Sequence, residues 1–339
     1  MDIVLCDLDA WTLFASRAPL DPVPKVEANR ILGTAVCDAA AAEAVRSLPW
    51  RHELEGHLRA LAGAAPDDDL PVHLLSAPGS RRHRVRGLVS HRTPAGLPEG
   101  SLVAAPGGVF SVSPELYLML RARELPVAWL AVVASVLWGR YSPRLDDVDG
   151  GAVRCEPRSS CGAARSFADR CEGLWFPRAD VACVLDAVGD GSRSPMETAL
   201  NALLCLPEAK GGYGLPKPEL NHTVFLDRNQ SYALRGQRRC EIDLLWPDRG
   251  VGVEYDGGEH FSTREAQERD RARDAVMREM GLDVVRWTWP MVRDEVSCDL
   301  LVRDLARKLG AKVRTGPSCS RLAERRALRS LLLGPHLVW

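Results

Sequence analysis

Arg238-Arg239-Cys240-Glu241-Ile242-Asp243-Leu244-Leu245-Trp246-Pro247-Asp248-Arg249-Gly250-Val251-Gly252-Val253-Glu254-Tyr255-Asp256 is the stretch that decides the fold. Two β-like runs, Arg238 to Trp246 and Val251 to Asp256, flank the turn-forming cluster Pro247-Asp248-Arg249-Gly250. Alternation in the second run sets Glu254 and Asp256 on one face and Val253 and Tyr255 on the other. In the first run, Asp243 interrupts an apolar segment from Ile242 to Trp246. An ionised carboxylate there is costly unless it is paired or holds a metal. A hairpin closed at the Pro247-to-Gly250 turn brings Asp243 nearly opposite Glu254, so Asp243, Glu254 and Asp256 are expected to converge. Mg²⁺, which takes one or two carboxylates with waters and phosphate oxygens, suits such a site. The competing reading makes Asp256-Gly257-Gly258 a plain turn and pairs Asp243 and Glu254 with arginines.

Working outward, Gly189-Asp190-Gly191-Ser192-Arg193-Ser194-Pro195 reads as a linker ending in a helix start. Ser194-Pro195-Met196-Glu197 has the pattern of a capping box, and its helix is expected to reach about Leu206. A strand from Leu220 to Leu226 precedes the hairpin. After it come a polar helix from about Thr263 to Met280 closed by Gly281, a strand from Leu282 to Thr288 and a helix from Val292 to Leu309. The order is α-β-β-β-α-β, then α.

From Ser194 to about Val292 the chain resembles the PD-(D/E)XK nuclease superfamily, and within it the very-short-patch-repair-like endonuclease domains. Carrying the likeness are Ser194-Pro195-Met196-Glu197, Gly214-Leu215-Pro216-x-Pro218, Asp243-x-x-x-Pro247 and Val253-Glu254-Tyr255-Asp256-Gly257-x-x-His260. It continues through Asp270-x-x-Arg273-Asp274-x-x-Met277-x-x-x-Gly281 to Val284-Val285-Arg286. The resemblance implies a restriction-endonuclease-like αβββαβ core. Its implied activity is hydrolysis of DNA phosphodiester bonds by a water activated by Mg²⁺, with Mn²⁺ as a substitute. Asp243, Glu254 and Glu197 are the implied metal ligands, and Asp256 and His260 complete the implied catalytic set. The superfamily's usual lysine, two residues after the glutamate, is here Asp256, and no lysine lies between Lys217 and Lys308. His260 and Arg273 are the candidates for that missing positive charge. Glu197 as a simple cap, and Asp270, Arg273 and Asp274 as a solvated salt-bridged face, are the structural alternatives. Arg286 is expected to pair with an acid.

The remaining sequence bounds the answer. Its 339 residues, 46% hydrophobic and 26% charged, exclude a disordered chain, and the net charge of −1 leaves any nucleic-acid surface to local patches. Four segments are expected: a mixed α/β N-terminal domain over 1–165, a helix and linker over 166–193, the endonuclease-like domain over 194–310 and a basic tail over 311–339. Arg81 to Arg92 is strongly basic, and Arg84 to Val89 alternates like a strand with arginines on one side, for phosphate contact or as a charged edge. From about Leu70 to Tyr141, through His91, Leu97-Pro98 and Ser113-Pro114, the chain also resembles antitoxin-like domains that precede such endonuclease domains. Residues 301–339 carry nine basic and two acidic residues and read as a docking helix or a DNA-tracking one. Asp7-Leu8-Asp9-Ala10-Trp11-Thr12 resembles a phosphatase nucleophile motif but has one residue too many, and it is set aside. Ten scattered cysteines form no zinc pattern, and Leu125 to Trp138 is too short to span a membrane, so a reduced, cytoplasmic protein is expected. The rival to the enzyme is a catalytically silent nucleic-acid-binding or regulatory protein of a defence or toxin-antitoxin system.

Overall fold

A computed structural model describes residues 1–53, 70–80, 85–94, 97–143, 152–171, 176–257, 264–316 and 320–334. The protein is mixed α/β and divides into two compact units. The first comprises Met1–Leu137 and Tyr141–Ala182, and the second comprises Trp138–Arg140 and the described residues from Cys183 onward. None of the described helices is long and apolar enough to cross a membrane.

Strands of the first unit are β1 (Val4–Leu5), β2 (Asp21–Pro22), β3 (Val72–Ser76), β4 (Leu88–Arg92), β5 (Leu102–Ala105), β6 (Val109–Val112), β7 (Tyr141–Pro143) and β8 (Ala152–Arg154). The first six form a sheet in the order β2-β5-β6-β1-β3-β4, with β1 parallel to β6, antiparallel to β3, and β3 parallel to β4. Ile3-Val4-Leu5 is wholly apolar because β1 lies mid-sheet, where both faces are covered. The helices are α1 (Asp7–Ala15), α2 (Lys25–Thr34), α3 (Ala39–Arg46), α4 (Pro49–Glu53), α5 (Pro114–Arg121), α6 (Val127–Trp138), α7 (Cys161–Arg170) and α8 (Arg178–Ala187). Leu13, Ala41 and Val45 from α1 and α3 pack on Leu5, Val72 and Leu74. The strand expected over Arg84 to Val89 instead starts at Leu88. Gly87 sits at φ +70° with its carbonyl oxygen accepting from Arg46 Nη2, a turn that stops an extended run, and 81–84 lie outside the described residues.

In the second unit, α9 (Pro195–Cys205) leads into β9 (Glu219–Phe225), α10 (Arg228–Ala233), β10 (Arg239–Trp246), β11 (Val251–Asp256), α11 (Arg264–Glu279) and β12 (Asp283–Thr288). The sheet order is β12-β11-β10-β9, antiparallel except for β11 beside β12. The longer α11 supplies the crossover that a parallel pair requires. Val276 and Met277 of α11 cover Ile242, Cys240 and Leu245. The helix expected over Val292 to Leu309 is two, α12 (Trp289–Arg293) and α13 (Glu295–Leu309), because Asp294 caps the second through the Ser297 N–H. In the tail, α14 (Leu322–Leu333) docks rather than projects. Arg325 is buried, donates to the carbonyls of Arg314 and Gly212 and lies over the Tyr213 ring, while Arg329 donates to those of Val292 and Arg293. Gly211 permits this approach, since a Cβ there would run into the Glu324 carbonyl oxygen of α14.

One buried ion pair organises the first unit. Asp9, fully buried, accepts from Arg51 Nε at 2.7 Å and from the His73 backbone N–H at 2.6 Å. Removing one partner of a buried pair strands the other charge. Arg51→Met is expected to lower the unfolding free energy by about 3–5 kcal/mol; an unchanged urea midpoint would show that the pair does not support the fold.

Candidate functional site

The acids of the second unit are gathered by three local devices. Glu197 is the third residue of α9 and is buried. Ser194 Oγ accepts from its backbone N–H and donates to its Oε1, while the Arg193 N–H donates to its Oε2. This closes the helix start, and it also turns the carboxylate toward β9. There Asn221 adopts φ +49°, a left-handed conformation that Asn tolerates better than most residues, and donates through Nδ2 to Glu197 Oε2 and to the Gly191 carbonyl. The β9–β10 register pairs Ile242 with His222 and Leu244 with Leu220 but skips the position between them, which belongs to Asn221 and Asp243.

Asp243 thus sits where the ladder is interrupted. On its other side the β10–β11 register ends at Leu244 opposite Val253, and Asp243 Oδ2 accepts the Tyr255 N–H at 2.8 Å in place of a backbone carbonyl. Glu254, the next residue of β11, is 9% exposed and pairs in register with Arg286 of β12. Arg273 from α11 holds both its oxygens and also donates to the Glu241 carbonyl, and Arg286 Nε lies 3.5 Å from Glu254 Oε2. Arg286 is steadied in turn by Asp274 at 3.0 Å and Asp270 at 3.6 Å. These helix acids therefore orient the arginine beside Glu254. Arg193 and Glu241 form a further ion pair at the margin.

All three inner carboxyls are held above their ordinary range. Burial is the main cause for each. The Tyr255 N–H and the charges of Arg273 and Arg193 oppose it at Asp243, Arg273 opposes it at Glu254, and the Arg193 N–H opposes it at Glu197. The Asp243 charge pushes both glutamates further up, which places each of them within electrostatic reach of Asp243.

The expected convergence of Asp243, Glu254 and Asp256 on one point needs correction. Asp256 ends β11 exposed, and no trio drawn from Glu197, Asp243, Glu254 and Asp256 has oxygens within 4.8 Å of one another among the described residues. The physical reason is the guanidinium clamp on Glu254 and the capping bonds on Glu197. His260 lies outside the described residues. The donor set nevertheless fits Mg²⁺. It is all hard oxygen and each carboxyl is raised by burial, although Arg273 already meets both oxygens of Glu254. Comparison with protein-family models, curated proteins and solved structures gives no match to this chain.

Asn221 and Arg193 escaped the sequence reading. An Asn inside a β-like run was the available signal for Asn221. In the first unit the described residues also bring Asp7, from the segment set aside as a false phosphatase motif, together with His73 and His91.

For a carboxyl raised in the folded state, the folded form binds the extra proton. Its stabilising effect is therefore complete below the ordinary carboxylate pKa of about 4 and is lost as pH rises through the raised value. Asp243→Asn keeps an acceptor for the Tyr255 N–H and removes the charge. In metal-free buffer at pH 7 it is expected to raise the melting temperature by about 2–4 °C, with the gain disappearing toward pH 4. A lowered melting temperature at pH 7 would contradict the electrostatic account.

Proposed function

We propose that residues 194–310 form a metal-dependent DNA endonuclease, a hydrolase of phosphodiester bonds on a restriction-endonuclease-like αβββαβ core. The observation that carries this reading is the burial of Glu197 and Glu254, each within electrostatic reach of the buried Asp243 and all three held above their ordinary pKa, where a helix start meets an interrupted strand ladder. The element order supports it apart from the short α10, which stands between β9 and β10 where a turn is expected, and so does the parallel β11–β12 pair with α11 as its crossover.

Asp243, Glu254 and Glu197 are the residues that would hold Mg²⁺ or Mn²⁺. Such an ion supplies a lowered pKa for the attacking water and neutralises charge on the phosphoryl oxygens. The protein's own residues do the remaining work. Asn221 and Ser194 fix the Glu197 carboxylate, and the Tyr255 N–H fixes that of Asp243. Arg273, anchored on the Glu241 carbonyl, brings positive charge to the place where the superfamily's lysine would act. His260 is assigned proton transfer to the leaving oxygen, and Asp256, two residues beyond Glu254, the outer edge of the site. DNA is the partner, and the setting in this reading is cytoplasmic.

A second reading keeps the fold without the reaction, as a nucleic-acid-binding or regulatory module of a defence or toxin-antitoxin system. One observation favours it: two arginines already neutralise Glu254. Supercoiled plasmid with Mg²⁺ or Mn²⁺ separates the two. The wild-type chain is expected to nick or linearise the plasmid, and Glu254→Ala to lose at least about 100-fold in rate, in line with the loss of a metal ligand that raises a several-kcal/mol barrier. Plasmid left intact by the wild type with both ions would reject the enzyme.

A further inference from the structure

The first unit holds a second, chemically different cluster. Asp7 follows β1 and opens α1 at φ +47°, a conformation in which an Asp is tolerated and which turns its side chain back over the ends of β3 and β4. His73 lies in β3 and His91 in β4. The parallel register sets Leu75 beside His91, so the two histidines share one sheet face, and their rings stack with centroids 5.2 Å apart. His73 Nδ1 stands 3.1 Å from Asp7 Oδ2 and 3.0 Å from His91 Nε2, and the latter pair is closed by 3.8 Å between His91 Nε2 and Asp7 Oδ2.

His73 Nδ1 faces both partners at hydrogen-bond distance, so a single proton there is shared between Asp7 Oδ2 and His91 Nε2. A cation at the centre meets all three atoms at once. Ligands at about 2.0–2.1 Å in a tetrahedron stand about 3.3 Å apart, close to the three edges observed.

The surroundings support ligation. Arg121 Nη1 binds the other Asp7 oxygen at 2.7 Å, fixing the carboxylate with Oδ2 directed inward. The His73 backbone is held by the buried Asp9, which ties the cluster to the Asp9–Arg51 pair. Asp7 and His91 line a cleft of about 440 Å³, while His73 is buried behind them.

We infer that Asp7, His73 and His91 form a binding site for a divalent transition-metal ion of the Zn²⁺ type, with a fourth coordination position open to the cleft. Two imidazoles and one carboxylate favour Zn²⁺, Co²⁺ or Ni²⁺ over Mg²⁺. Three protein ligands with one open position match the arrangement that leaves a zinc ion accessible to a small ligand. Arg92, Arg121 and Arg123 outnumber Glu124 at the cleft wall, which favours an anionic one. The site is independent of the acidic residues of the second unit and of the function proposed for them.

Titration of the full-length chain with Co²⁺ tests it. One equivalent is expected to bind with the intense visible absorption of four-coordinate cobalt, to be displaced by Zn²⁺ and not by Mg²⁺, and to persist in Asp243→Asn. His91→Ala is expected to weaken binding by more than the roughly 10–100-fold that loss of a supporting group costs. Should that variant fail to fold, imidazole nitrogen NMR of the wild type gives the answer. Zn²⁺ is expected to shift His73 Nδ1 and His91 Nε2 together. Absent four-coordinate absorption, binding retained in a folded His91→Ala, or Zn²⁺ leaving both nitrogens unmoved would overturn the site.

Discussion

Repulsion among buried carboxylates is the constraint around which the second unit is arranged. Glu197, Asp243 and Glu254 all lose hydration, and Asp243 raises the cost of charging each glutamate. Structures arranged for stability alone place apolar residues at such positions, because even a well-paired buried ion seldom improves on them. Here the chain accepts the cost and meets part of it locally, with a helix cap at Glu197, a captured strand N–H at Asp243 and a guanidinium clamp at Glu254. Each device fixes a carboxylate's direction, and at Glu254 the two arginines also balance its charge.

The arginine clamp gives the site its character. Arg273 and Arg286 converge on Glu254 from a helix and a neighbouring strand, and Asp274 and Asp270 hold Arg286 from the same helix. The clamp occupies the ligand expected to meet the metal. It also supplies, beside that ligand, the positive charge that the lysine-free stretch lacks. A cation at this site would compete with Arg273 and Arg286 for Glu254. In the first unit the same problem has another solution: the fully buried Asp9 is matched directly by Arg51, and the neighbouring Asp7 meets imidazoles.

Much of the second unit was legible because its signals are local. Ser194-Pro195-Met196-Glu197 specifies its own helix start, and Pro247-to-Gly250 specifies its own turn, so β10, β11 and the register near Asp243 and Glu254 follow from adjacent residues. Asn221 was not legible in this way. Its left-handed backbone matters only because Glu197, 24 residues earlier, accepts its amide. The grouping of Asp7, His73 and His91 was hidden for the same reason, since it depends on β1, β3 and β4 being neighbours, a pairing no short motif encodes. The clamp on Glu254 lay between the two cases. Arg273 and Arg286 were visible as unusual charges, but their shared target required the packing of α11 on β12.

Calorimetric titration of Mn²⁺ into the metal-free chain tests the central claim most directly. The account predicts saturable binding that vanishes in Asp243→Ala while the variant remains folded. Heat that is indistinguishable from dilution in the wild type, or binding undisturbed by the loss of Asp243, would contradict it.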